Sequence, residues 1–195
     1  MAKEFYGYFD SKEGDVRQYD AAELAHLLAG ALQNGVASHN GGGLLVSADG
    51  TSMKTTVSCG GAVINGYLFV LSDDGGAAKT FTHQVSGSAD RIDRIIVRLN
   101  LNDRKISLRV LEGVPGAMPV PPSLTRNSQT WDLSLAQVRI RASAAFVTAS
   151  DVIDERSNEG VCGYAVPVWN NTVKLAQRFV TNQPITNAQI NSAIV

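Results

Sequence analysis

Charged side chains fall into a few tight groups in this chain, and each group has a chemistry it could perform. Asp154 and Glu155 stand beside Arg156 in the phrase VIDER. Paired carboxylates suit general acid–base work when a histidine, a nucleophile or a shaped cleft accompanies them. None does here, so the segment reads as a turn in which Asp154 or Glu155 pairs with Arg156. The second group is basic. In RIDRIIVRLNLNDRKISLRV, Arg91 to Val110, strand alternation gathers Arg94, Arg98, Lys105 and Arg109 with Ile96 on one face. A basic face invites an anion. Against a net charge of −1, and with Asp93 and Asp103 close by, Arg94, Arg98 and Arg109 are instead expected to pair with carboxylates on an adjacent strand or subunit. Each such cross-strand pair contributes about 0.2–1 kcal/mol.

The remaining reactive residues are scattered. The loop ASHNGGG lacks the Gly-Lys-Ser/Thr ending and the following helix of a phosphate-binding loop. Asp73 and Asp74 lack the spaced oxygen ligands and distal Glu of a calcium loop and read as a solvated turn. Cys59 and Cys162 are expected to be buried free thiols. His26, His39 and His83 have no metal-ligand spacing. No Ser-His-Asp set, zinc signature or nucleotide fingerprint stands out. No catalytic, cofactor-binding or metal residue is therefore assigned; the expectation is a non-enzyme without cofactor.

The elements that must position these residues are mostly strands. With charged residues at 18% and 18 glycines, short alternating apolar runs favour a β-rich chain with tight turns. The opening aromatic residues Phe5, Tyr6, Tyr8 and Phe9 read as a short edge strand or an arm packed against another surface. Asp20 and Glu23 form a capping box for a helix over 20–34, with Leu24, Leu27, Leu28, Ala31 and Leu32 on one stripe, His26 off it, and Asn34-Gly35 as the left-handed stop. Strands are predicted over Leu44–Ser47, over Met53–Ser58, on both sides of Asn65-Gly66, and over Thr80–Val85. Asn-Gly between apolar runs is the strongest short hairpin signal, because a type I′ turn needs positive φ at both central residues. In the basic hairpin Asn102 and Asp103 turn the chain, and Ile95, Val97, Leu99, Ile106, Leu108 and Val110 face the core. Pro115, Pro119, Pro121 and Pro122 then dictate an extended crossing over one end of the fold. Trp131, Leu133, Leu135, Val138 and Ile140 return as a strand with a bulge near Ala136, and Ala144–Thr148 reads as one more. Pro184 opens a short final helix with Thr186 and Gln189 as its capping box.

The fold class expected is mainly β (α+β), an antiparallel β-sandwich with one N-terminal amphipathic helix and a short C-terminal helix. One sizeable domain over 1–163 and an extension over 164–195 account for the length. The opening residues lack a signal-peptide core, and no stretch has the roughly 18 apolar residues of a membrane span, so synthesis in a cytosol without membrane insertion is expected. Without a positive overall field, nucleic acid is not an expected partner.

Several phrases together carry a resemblance: FDS with GD and a Tyr-Asp-Ala-Ala helix (Phe9 to Ala22), NGV (Asn34 to Val36), AVINGY (Ala62 to Tyr67), RIDRIIVRL (Arg91 to Leu99), LTR (Leu124 to Arg126), LSLAQV (Leu133 to Val138), and IDER followed by CG (Ile153 to Gly163). In this order they resemble the amino-terminal region of tail baseplate and receptor-binding fibre proteins of phages and prophages of Gram-positive bacteria. The resemblance spans roughly Phe9 to Gly163. It implies a β-rich module that attaches or organises the receptor-binding apparatus in a virion tail, made in the host cytoplasm, with other tail proteins as partners and a homo-oligomer, a trimer by preference. Long members continue into a stem and tip, whereas this sequence runs about thirty residues past the shared region; attachment is expected of it rather than host recognition. Candidate oligomer or tail contacts are Phe179, Ile185, Ile190 and Ile194. The alternative is a carbohydrate-binding module for host wall polysaccharide, with Trp131 and Trp169 as candidate glycan contacts beside Tyr67 and Tyr164; the competing reading of these aromatics is core packing.

Overall fold

The computed structural model describes residues 11–14, 18–37, 43–72 and 78–168. Helix α1, Ala21–Ala31, opens on the expected capping box: Asp20 Oδ1 accepts from the Glu23 amide at 2.8 Å and Glu23 Oε2 accepts from the Asp20 amide at 3.2 Å. Its other end differs from the sequence expectation. The cap is Leu32, in extended conformation, and Gly35, at φ 155°, opens the next strand rather than capping the helix. Asn34 is instead pinned sideways, its Oδ1 accepting from the Asn65 amide at 2.6 Å and its Nδ2 donating to Asn65 Oδ1 at 2.9 Å. The stripe is also rotated. Ala25 is the buried residue and Leu24 is 45% exposed, because the helix lies so close to Gly66 that only a small side chain fits between them.

The strands are β1 (Gly35–Ala37), β2 (Val46–Ser47), β3 (Lys54–Val57), β4 (Gly60–Ile64), β5 (Tyr67–Leu71), β6 (Lys79–Thr82), β7 (Arg91–Asn100), β8 (Lys105–Leu111), β9 (Thr130–Ile140) and β10 (Val152–Asp154). They form three separate sheets, ordered β1-β4-β5, β2-β3-β6 and β10-β9-β7-β8, with antiparallel pairing throughout. Among the described residues the fold is thus α+β, dominated by antiparallel strands, with one helix and a short 3₁₀ turn, Ala149–Asp151. One apolar core joins all three sheets: Val36, Val46, Val57 and Ile64 meet Ile95, Val97, Leu99, Leu133, Leu135 and Val138.

Asn65-Gly66 turns β4 into β5 with φ of 51° and 80°, as type I′ geometry demands. The bulge in β9 also stands where expected. Ile95 pairs with Ala136 while Ile96 pairs with Ser134, leaving Leu135 as the extra residue. This shift restores alternation, so Leu133 and Val138 share the core with Ile95 and Val97.

Other expectations need correction. Ala144–Thr148 forms no strand; the segment is irregular and held by buried Val147, whose amide donates to Ser52 O. The strands predicted over Leu44–Ser47 and Thr80–Val85 shrink to Val46–Ser47 and Lys79–Thr82. The proline-rich crossing does not cap an end of the fold. It lies against the polar face of the four-stranded sheet, where Arg94 donates to Pro122 O at 2.7 Å and the Thr125 amide donates to Asp132 at 2.8 Å. Prolines leave carbonyls free to accept, which suits a strap over arginines. Within VIDER, Val152–Asp154 is a strand on β9 and not a turn. Just past residue 163, Tyr164 bridges to Val36, Gln33 donates to Val166 O, and Pro167 bridges to Leu32. The final helix from Pro184 lies outside the described residues.

Candidate functional site

The charged residues singled out from the sequence converge, and they converge inward. Arg94 on β7 and Glu155 just after β10 are both buried, at 7% and 6% exposure. Arg94 Nη2 donates to Glu155 Oε1 at 3.3 Å, and Nε sits 3.2 Å from Oε2 without hydrogen-bond alignment. The same carboxylate accepts from Ser134 Oγ and from Gln137 Nε2, the latter at 2.6 Å. Glu155 therefore pairs with Arg94 rather than with its neighbour Arg156. Arg156 takes Asp154, with contacts of 2.7 and 2.9 Å, and also donates to Gly43 O.

One step along the same face, Arg98 grips Asp132 through two bonds of 2.7 Å. Asp132 is fully buried, and its hydrogen bond raises the Arg98 pKa further while burial opposes the rise. The basic face is thus neutralised from the adjacent strand at Arg98 and from the segment after β10 at Arg94. Arg109 makes a different contact, a 3.2 Å bond to Ser107 Oγ. Arg126, of the LTR phrase, donates to the carbonyls of Gly160 and Val161 at 2.9 and 2.7 Å, and its guanidinium lies 5.4 Å from the centre of the Trp131 ring.

A second buried group is one that sequence reasoning missed. His83 Nδ1 lies 2.7 Å from Asp93 Oδ2 and its Nε2 lies 2.9 Å from Thr55 Oγ1. Asp93, as a carboxylate, accepts from the ring, and also from Arg91 Nε at 2.8 Å and the Gly113 amide at 3.0 Å. Hydroxyl, imidazole and carboxylate in this order have the connectivity of a nucleophile relay. Their setting is different: Thr55 is 0% exposed, on the central strand of its sheet, with His83 at 3% and Asp93 at 1%. A reactant cannot reach the hydroxyl in this arrangement. The group ties β3, the segment after β6, β7 and the start of the proline-rich crossing into one joint. Burial alone would raise the Asp93 pKa, but the hydrogen bonds from His83, Arg91 and Gly113 outweigh it and hold the carboxyl below its ordinary 3.8. One signal for this joint was in the sequence: Asp93 shares strand parity with Ile95, Val97 and Leu99, and an acid in a core position requires partners. Nothing near His83 marked it as one of them.

The other expected residues are dispersed. Cys59 and Cys162 are both free, but only Cys162 is buried and Cys59 is half-buried; burial pushes the Cys162 thiol up to about 12, where it is inert. His26 is on the exposed side of α1. Trp131 is half-buried against the core with Arg126 over its ring. Trp169, Phe179, Ile185, Ile190 and Ile194 lie outside the described residues, as do His39, Asp73 and Asp74. Among the described residues there is no group of three His, Cys, Asp or Glu side chains that could hold a metal ion, and no helix long and apolar enough to cross a membrane.

Two grooves flank α1, the first mainly apolar and the second of mixed lining. A groove of about 680 Å³ runs between the start of α1, strand β5 and the β7–β8 turn, lined by Ala21, Phe69, Val70, Leu101, Lys105 and Ile106 among others. A second, of about 640 Å³, lies on the other side of α1 between Ala25, Ala29, Asn65 and Val168. Leu68 and Val70 on β5 are 63% and 72% exposed. Along the proline-rich crossing Met118 and Val120 project as well. Compared with known protein families, with curated proteins and with solved structures, the chain has no match.

Proposed function

We propose that this chain is a structural subunit of a phage or prophage tail or baseplate, attaching or organising the receptor-binding apparatus. The observation that carries the reading is where the phrases of the resemblance meet. Arg94 of RIDRIIVRL, Ser134 and Gln137 of LSLAQV, and Glu155 of IDER close on one another in a single buried group. Arg126 of LTR reaches the carbonyl of Val161, next to the CG phrase. Residues far apart in sequence that share a likeness and also share a joint are what a common scaffold requires. Their charges are spent inside the fold, while apolar side chains project from β5 and the proline-rich crossing, where neighbouring subunits would sit.

This reading includes the sandwich arrangement of the sheets, a virion location, assembly with other tail proteins, a homo-oligomer with the trimer preferred, and the absence of an enzymatic activity. The carbohydrate-binding alternative gains no support from Trp131, whose ring is already occupied by Arg126. A glycan array of bacterial wall polysaccharides separates the two: the tail-subunit reading expects no signal, and saturable binding abolished by Trp131→Ala would replace it with the carbohydrate one.

A further inference from the structure

We infer that the proline-rich strap is a contact between copies of this chain, with Met118 of one copy seated in a notch beside the strap of the next; the homo-oligomer itself rests on the tail-subunit reading above. Met118 is 90% exposed, more than any other large apolar side chain among the described residues, and Val114 and Val120 on either side of it are 79% and 73% exposed. The strap is held by its ends. The Gly116 amide donates to Asp90 O at 2.9 Å and Pro122 O accepts from Arg94 Nη1 at 2.7 Å, while residues 117–121 between these anchors make no hydrogen bond among the described residues. Pro119 and Pro121 fix φ and keep this stretch extended, so Met118 is presented outward on a stiff segment.

The notch is built by the four-stranded sheet. Ile92 lies opposite Arg139 and Ile153 opposite Gln137, so all four share one face, and Pro119 of the strap walls the space, about 330 Å³. Its polar side chains are already engaged: Gln137 donates to Glu155 at 2.6 Å and Arg139 to Asp90 at 2.6 Å. What is left for a visitor is the aliphatic surface of Ile92, Pro119 and Ile153, the last 59% exposed. The chain's own Met118, at 90% exposure, does not fill it. An unbranched thioether adapts its shape to such a space. Two observations select a second copy as the occupant. First, charge: from Gly113 to Thr125 no residue is charged, so identical straps can approach one another without the like-charge repulsion that opposes self-contact. Second, position: Met118 and the notch wall Pro119 are adjacent in the chain. A contact in which each copy gives one Met118 and receives another therefore keeps both surfaces beside the rotation axis, where the assembly can close into a ring.

Light scattering on the full chain over a dilution series tests this. Met118→Lys places a charge in an apolar notch beside Arg139 of the next copy and should weaken assembly about tenfold or more, whereas Met118→Leu, which keeps an apolar knob, should assemble like the parent. Ile153→Lys charges the notch instead of the knob and should weaken assembly as Met118→Lys does. Val70→Lys, on β5, should leave it unaltered. All three positions are exposed, so each variant should fold, with far-ultraviolet circular dichroism equal to the parent's. A parent assembly indifferent to the lysine at either 118 or 153 overturns the inference. One that Val70→Lys dissolves as readily also overturns it, by assigning the contact to β5. A parent chain that is monomeric at every concentration overturns it too, without touching the placement of the chain in tails, which antibody labelling of particles reads separately.

Discussion

Arg94 and Glu155 lie 61 residues apart and meet in the interior, each carrying a charge that water would otherwise solvate. Removing one partner of a buried pair strands the other, at a cost of about 3–5 kcal/mol. Glu155→Ala should therefore lower unfolding stability by about that amount in a denaturant titration, and Glu155→Gln, which keeps one acceptor oxygen for Gln137 and can donate its amide to Ser134 Oγ, by less. Asp93 gives a prediction in pH. Its folded pKa is depressed, so the stability it confers is complete above the ordinary 3.8 and is lost as pH falls through the lower folded value. Asp151 acts in the same direction: burial opposes, but Thr148 and Arg141 hold its carboxyl low. Thermal melts should show stability dropping below about pH 4, with a shallower acid limb in Asp93→Asn than in the parent chain. An acid limb unchanged by that substitution would remove Asp93 from the account. At this scale the sequence was half legible. Strand parity announced that Arg94 and Arg98 share a face and that Asp93 sits among core residues. It could not announce Glu155 or His83 as partners, because both follow short strands and reach the network through tertiary packing alone.

Helix α1 and the β4–β5 hairpin show how one element positions another. The Gly66 turn passes beneath Ala25, and a Cβ at Gly66 would fall 1.8 Å from Ala25 O. Its φ of 80° adds strain for any other residue, about 1–3 kcal/mol. Gly66→Ala should lower the melting temperature and displace α1, seen as faster exchange of the helix amides while β7 and β9 stay protected; a helix as slow to exchange as before would contradict this docking. Both elements were legible from local rules, a capping box at one end and an Asn-Gly turn in the hairpin. The helix stop was not. Asn34 and Gly35 have the residue types of a left-handed cap, yet Asn34 is drawn instead into a side-chain pair with Asn65, 31 residues away. The segment Ala144–Thr148 misled for a related reason: its apolar residues include one, Val147, that is buried without any strand to pair with. The bulge at Leu135 was visible because alternation breaks there in the sequence itself.

For the whole molecule, the pattern is of charges turned inward on the four-stranded sheet and at its joint with the β2-β3-β6 sheet, and apolar side chains left outside on β5 and the proline-rich crossing. Val70 is 72% and Met118 90% exposed, and a subunit that packs against neighbours would cover such side chains. Light scattering should find a closed homo-oligomer, with three copies as the stoichiometry expected; a strict monomer at high concentration would remove self-assembly and leave docking on a different tail protein. What composition and periodicity conveyed at this scale was the β-rich class, while the pairing of strands into three sheets depends on contacts between distant segments. The proposal that this is a tail subunit is tested most directly by gold-labelled antibody against the chain, applied to gradient-purified particles from a lysing culture of the cells that make it and viewed by electron microscopy. The account predicts label confined to the distal end of tails. Tailed particles without label, with the chain recovered entirely in the soluble cell fraction, would contradict it.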